Sequence, residues 1–145
     1  MSAAEFKFPD VPNGFSWLSL AQGVFNTQQL RWDMTSCGGG LRWQIFVYQE
    51  GYTLKNAVSN GGFFQLAARL ARYTDNPEYL SWAKKIWNWS AQSPLLDTKN
   101  WYVADSTNPL DQCADAGHHQ WTYNYGVYLM GAAYLYNYVS SPACV

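Results

Sequence analysis

Charge is scarce in this chain. Of its 145 residues only 13% are Asp, Glu, Lys or Arg, against roughly 25% in an average soluble domain. Nine basic and ten acidic side chains leave a formal net charge of -1. That balance excludes an electrostatic nucleic-acid binder, which needs a basic patch or excess, and a charged disordered tail. Long apolar runs are missing as well. The best, Gly126 to Tyr136, is eleven residues long and includes three tyrosines. A membrane-spanning helix needs about 20. Cysteine is limited to Cys37, Cys113 and Cys144, so at most one intrachain bridge can form. No two carboxylates are adjacent anywhere. No signal peptide is expected from Met1 to Phe8, which carries Glu5 and Lys7 and is followed by no apolar run.

What the chain has in quantity is aromatic surface, 18% of residues, from eight Trp, eleven Tyr and seven Phe. Most of these rings carry a polar handle. Low charge with many amphipathic rings suits a sugar-binding cleft. It also suits part of a larger protein that expects neighbours. The length fits one domain. A single sequon, Asn88-Trp89-Ser90, points toward secretion.

Four helical stretches are expected, separated by irregular segments. The first runs from about Ser16 to Trp32, with Trp17, Leu18, Ala21, Val24, Phe25 and Gln28 at the spacing of one helical face. The second runs from about Leu54 to Tyr73. The third begins at Asn76, an N-cap followed by Pro77 in the first-turn position, and continues to about Ser90. The fourth, from about Trp121 to Val139, is apolar nearly all round and is expected to be buried on every side. Residues 1–13 are expected to be irregular. Thr74-Asp75 is a tight link, so the second and third helices should be antiparallel neighbours. Asp33 to Thr53 holds Cys37-Gly38-Gly39-Gly40 and then Leu41 to Tyr48, a candidate short strand or extended segment. Ser93 to Gln120 is long, and loops beyond about 15 residues are usually functional.

In the second helix, Gln65, Arg69 and Arg72 cluster on one side. Asn56 and Asn60 fall nearly opposite, with Phe63, Ala67 and Leu70. Buried amides need partners, so this pair either bonds a neighbouring loop or lines a polar cleft. Among the carboxylates, Asp105, Asp111 and Asp115 share the long loop, so one of them could face a cleft. Cys113, Asp115, His118 and His119 lie within seven residues, but their spacing matches no zinc pattern. No metal and no cofactor is expected. The triple glycine is not a phosphate loop, since no Lys-Ser/Thr follows it and no helix starts there. Beside it stand Arg42, Trp43 and Gln44. A ring face with amide and guanidinium donors equips a site for pyranose recognition; the plain alternative is a tight connection around a core Trp.

At these residues a resemblance enters. Phe25-Asn26-Thr27-Gln28 with Arg31-Trp32-Asp33, the segment Cys37 to Ile45, the segment Lys55 to Gly61 leading into Leu66 to Thr74, and Gln120 to Gly126 with Gly131-Ala132-Ala133 resemble glycoside hydrolase family 76. The match runs in order along nearly the whole chain and is nearest the fungal cell-wall branch of endo-α-1,6-mannanases and GPI-anchored relatives. The resemblance implies an all-α fold, a partial (α/α)6 barrel of about four helices with long irregular loops. Residues 1–145 would then be one partial domain, the middle to C-terminal portion. The family's catalytic pair is two adjacent aspartates preceding the part that Phe25 to Trp32 resembles. This sequence has no Asp-Asp, so no catalytic residue carries over, and inactivity of the chain alone is expected.

What carries over is a substrate-binding set: Gly39, Gly40, Arg42, Trp43 and Gln44 of the glycine loop, Lys55, Asn56 and Asn60 of the second helix, and Tyr123 and Asn124 of the fourth. Asp105 resembles the Asp of a family Asp-Gly loop motif, with Ser106 in place of the glycine. The implied ligand is α-1,6-linked mannan or a GPI-anchor glycan, hydrolysed or transferred with retention in the full enzyme. The implied location is extracellular, at the fungal cell wall or plasma-membrane surface. An oxidising compartment, which the resemblance also implies, predicts a Cys37–Cys113 bridge. The alternative reading is a non-catalytic α-mannan-binding module or pseudoenzyme. An open slice of a toroid exposes helix faces, so self-association through them is a further expectation.

Overall fold

In the computed structural model, residues 1–10, 12 and 14–140 are described; Cys144 lies outside them. Among the described residues five helices dominate: α1 (Ser2–Glu5), α2 (Trp17–Leu30), α3 (Ala57–Thr74), α4 (Pro77–Gln92) and α5 (Thr122–Val139). Four two-residue strands lie between them: β1 (Lys55–Asn56), β2 (Leu96–Asp97), β3 (Tyr102–Val103) and β4 (Ser106–Thr107). The strands pair antiparallel, β1 with β4 and β2 with β3.

Local chemistry sets the helix starts. The Ser16 hydroxyl accepts from the Ser19 N–H at 3.1 Å, the Asn56 carboxamide from the Ser59 N–H at 3.3 Å, and the Asn76 carboxamide from the Glu78 N–H at 2.9 Å, with Pro77 following. Each cap satisfies a donor that the first helical turn leaves orphaned. At the other end of α3 the chain reverses at Asp75, whose φ of 54° is left-handed. That two-residue link makes α3 and α4 antiparallel.

Helix α3 lies at the centre. Its rows of Ala and Phe bury Phe63, Phe64, Ala67, Ala68, Leu70 and Ala71. Phe25 of α2 packs among Phe63, Tyr79 and Trp82, with its ring 4.7 Å from that of Tyr79 in an edge-on contact. Each such buried ring contributes about 1.5–3 kcal/mol of burial alone. Helix α5 runs parallel to α3. A Cβ on Gly131 would stand 2.5 Å from the Phe64 ring, so the two helices approach closely only because glycine is there. Thus α3 and α5 form one layer. Helices α2 and α4, running the opposite way, form the other. The C-termini of α2 and α4 and the N-termini of α3 and α5 meet at one end, and both long loops lie there.

Four expectations are corrected. Residues 2–5 form a helical turn where irregular chain was expected, because Glu5 reaches the Arg69 guanidinium. Arg69, expected on a polar face, is therefore buried, bonded also to Gln65 and Ser2. The segment after the glycines is no strand: only Arg42 makes an isolated bridge, to Lys55, and turns follow. Helix α5 is not buried on every side. It sinks Asn124, Tyr128 and Gly131 against α3, while Leu129, Met130 and Tyr136 are exposed. All-round apolarity records how many faces a helix can bury, and here one is covered.

Candidate functional site

The loop end is built around one ammonium group. Lys55, on β1, is fully buried. Its Nζ donates to the carbonyls of Asp33 at 3.0 Å, of Ser36 at 2.8 Å and of Gly39, and stands 3.3 Å from Asp33 Oδ2. The Trp89 ring lies 6.0 Å away. Three carbonyls converging on one compact cation hold residues 33–40 in a closed loop. Burial pulls the Lys55 pKa below its ordinary value, and the Asp33 charge opposes that shift. The Asp33 pKa is lowered as well, but against its burial. Burial raises its pKa, but hydrogen bonds from the Thr35 hydroxyl and N–H, the Lys55 charge and the Ser36 hydroxyl outweigh this and hold it well below the usual carboxylate range.

The glycines allow the loop to sit against tryptophans. Gly40 has φ 97°, and a Cβ there would lie 2.2 Å from the Trp89 ring. Asn60 secures the next residue: its Oδ1 accepts from the Leu41 N–H at 2.8 Å, and its Nδ2 donates to the carbonyls of Leu41 and Asn56 at 3.0 and 2.9 Å. The Trp89 Nε1 donates to the Cys37 carbonyl at 2.9 Å. Cys37 and Cys113 are joined by a disulfide with Cα atoms 5.6 Å apart. A short ladder links the same two loops a second time, Arg42 to Lys55, Lys55 to Thr107, and Thr107 to Ala116.

Outward from this frame, Arg42 and Gln44 line a cavity of about 360 Å³ with Arg31, Asp33, Thr35 and Tyr52. Arg42 Nη2 pairs with Asp33 Oδ2 at 2.9 Å, and its guanidinium lies 4.9 Å over the Tyr52 ring. The Trp43 side chain is 46% exposed. Beyond the ladder, Asp105 accepts from Asn124 Nδ2 at 3.0 Å, and its own carbonyl accepts from the Ala57 N–H. Tyr123, 52% exposed, also meets Asp105. Partial desolvation, then the Asp105 charge and hydrogen bond, raise the Tyr123 phenol pKa. Asn124 Oδ1 is buried without a hydrogen-bond partner among the described residues.

The ten residues singled out from the sequence thus divide. Arg42, Trp43, Gln44 and Tyr123 reach the surface of the loop end. Gly39, Gly40, Lys55, Asn56, Asn60 and Asn124 are buried behind it. The two amides bond the loop and cap the helix rather than open onto solvent. Sequence reasoning missed Arg31, Asp33, Thr35 and Tyr52 as cavity lining. The run Arg31-Trp32-Asp33 directly before the glycines was the available signal. Asp97 and Asp115 are occupied locally, Asp97 accepting from the Lys99 and Asn100 N–H groups and Asp115 from that of Ala116, while Asp111 ends a 3-10 turn. Among the described residues no group of three potential metal ligands comes together.

Paired antiparallel helices in two layers, with the long loops and polar clusters gathered at one end, define part of a helical α/α-barrel glycosidase domain. The chain belongs to glycosyl hydrolase family 76, whose family model matches residues 1–143. It is 52% identical over 143 residues to the mannan endo-1,6-alpha-mannosidase DCW1 of Saccharomyces cerevisiae, covering 97% of this chain and 32% of that protein. It therefore spans about a third of the length of the curated relatives it matches. The crystal structure of Dfg5 from Chaetomium thermophilum, in complex with glucosamine, superposes with a TM-score of 0.90 at 43% identity, over 98% of this chain and 35% of that one. An alpha-1,6-mannanase of Salegentibacter sp., inactive through replacement of two adjacent aspartates and bound to alpha-1,6-mannotetrose, superposes with a TM-score of 0.71 at 28% identity, over 87% of this chain and 36% of that one. No helix among the described residues is long and apolar enough to cross a membrane.

Proposed function

We propose that residues 1–145 form one partial family 76 domain, a middle to C-terminal portion that supplies sugar-binding cleft wall to a mannan endo-1,6-α-mannosidase or GPI-glycan transglycosylase. The substrate is α-1,6-linked mannan or a GPI-anchor glycan at the fungal cell wall or plasma-membrane surface. The observation that carries this reading is that Arg42, Trp43, Gln44 and Tyr123 each reach the surface at the loop end of a chain so similar to fungal mannosidases. Trp43 and Tyr123 offer ring faces to the C–H side of a pyranose; Arg42 and Gln44 offer donors to its hydroxyls. Gly39, Gly40, Lys55, Asn56, Asn60 and Asn124 act from behind, fixing where those four stand. Family 76 chemistry uses a carboxylate pair. The inactive mannanase variant supports placing it in an Asp-Asp, which this sequence lacks. The chain alone therefore binds without turning over.

Reducing-sugar release from α-1,6-mannan by the isolated chain tests the last point; robust turnover refutes it. Calorimetric titration with α-1,6-mannotetraose tests the cleft. Trp43→Ala and Tyr123→Ala should each weaken binding about tenfold, roughly 1.4 kcal/mol. Unchanged affinity in both removes the assignment. The missing Asp-Asp also favours a second reading, a non-catalytic α-mannan-binding module, which requires that the intact protein itself show binding and no turnover. Self-association through the exposed faces of α2 and α5 would appear as a mass above 16.5 kDa in solution.

A further inference from the structure

The sequon Asn88-Trp89-Ser90 lies within α4, and its two functional residues point in different directions. Asn88 is exposed, on a stripe with Ser81 and Lys84. The opposite side of α4 buries Tyr79, Ala83, Ile86, Trp89 and Ser90. That polar stripe, opposite the buried side, is the outward surface of α4. Ser90 is fully buried, and its hydroxyl is 2.8 Å from the Tyr128 hydroxyl on α5. A second, independent observation bears on the compartment. The Cys37–Cys113 disulfide ties the two long loops together, and disulfides persist in oxidising compartments, which is where the sequon can be used.

We propose that Asn88 carries an N-linked glycan, and that it is attached before α4 docks against α5. The donor is a polyprenyl-pyrophosphate oligosaccharide. The Asn88 carboxamide nitrogen forms a bond to C1 of the first sugar, the C1–O bond to pyrophosphate breaks, and the amide proton leaves with the polyprenyl pyrophosphate. Nothing is oxidised or reduced. The transferase must reach the serine hydroxyl as well as the asparagine of the sequon. In the folded chain Asn88 is open but Ser90 is sealed under Tyr128 and its backbone is locked in the helix. The folded protein is thus a poor acceptor, and the emerging chain a good one. Once attached, the glycan projects from the outward stripe and leaves the Ser90–Tyr128 contact intact.

Peptide mapping of the protein purified from a eukaryotic secretory host tests this. Enzymatic deglycosylation in heavy-oxygen water should convert Asn88 to labelled Asp. Asn88→Gln should lose the glycan mass and keep the Ser90–Tyr128 bond, whereas Ser90→Ala should lose both the glycan and thermal stability. Ser90→Thr should keep the glycan. Protein made without glycan and folded should stay unmodified when offered transferase and donor, while the same protein reduced and unfolded should be modified. An unmodified Asn88 in the secreted protein overturns the site. Efficient modification of the folded protein overturns the order of events.

Discussion

Replacing Lys55 with Met removes the cation at the centre of the loop end while keeping the apolar stem. Three carbonyl acceptors and the Asp33 carboxylate then lose their shared partner. Hydrogen bonds to a charged group contribute about 1.5–3 kcal/mol each, so the gross loss is large. Two terms offset it. Burying the ammonium carries its own desolvation penalty, which the lowered Lys55 pKa reflects, and Asp33 keeps Arg42 as a partner. A buried pair broken from one side typically loses about 3–5 kcal/mol, and that is the expected net. For a chain of this size, roughly 3 °C of Tm accompanies each kcal/mol, so Tm should fall by about 10 °C or more. Urea unfolding gives the free energy directly. Amide exchange should show the added openness at residues 33–41 first. Lys55→Arg should not rescue, because a planar fork cannot direct three donors at carbonyls converging on one point. A Lys55→Met protein within 1 kcal/mol of the parent, with unchanged exchange in the glycine loop, would refute the clamp.

Asp33 should make stability depend on acid. Its folded pKa lies below its unfolded value, so the unfolded chain takes up the proton first; stability is full above about pH 4 and falls as pH drops through the folded pKa. Asp33→Asn should flatten that limb of a stability-against-pH curve; an unchanged slope counts against the network. Removing the bridge by Cys37→Ser with Cys113→Ser frees a loop spanning 76 residues. Chain entropy puts the loss at about 4.5 kcal/mol, measured by urea unfolding, and a loss below 1 kcal/mol would show that the β1–β4 ladder suffices. Gly40→Ala meets both a φ of 97° and the Trp89 ring; destabilisation of about 2 kcal/mol or more is expected, with a shift in tryptophan fluorescence, and a neutral effect contradicts the close packing.

Much of the fold was legible because its signals are local. Ser16, Asn76-Pro77 and the periodicity of α2 to α4 specify helices within a few residues of themselves, and the helix boundaries fell within about three residues of expectation. The family motifs were also contiguous, so they could be recognised without knowing what touches what. The start of α3 illustrates the limit. Asn56 can be read as a cap from its neighbours, but the pairing of Lys55 with Thr107 needs a strand about a third of the chain away.

The site was legible as a set of residues and not as a set of roles. Lys55, Asn56 and Asn60 had sugar-binding chemistry on paper; packing turned all three inward. Arg69 had the look of a solvent-facing charge until Glu5, 64 positions earlier, supplied its partner. The aromatic wealth and low charge of the chain are properties of composition, fixed before folding, and they bias the chain toward a sugar cleft and shared surfaces. Which rings become cleft and which become core is decided by what lies opposite each of them. Trp89 is buried under Gly40, and Trp43 remains open beside Gly51. Both are tryptophans beside glycines. Only the tertiary contacts separate them, because burial is a relation between distant segments and no single segment carries it.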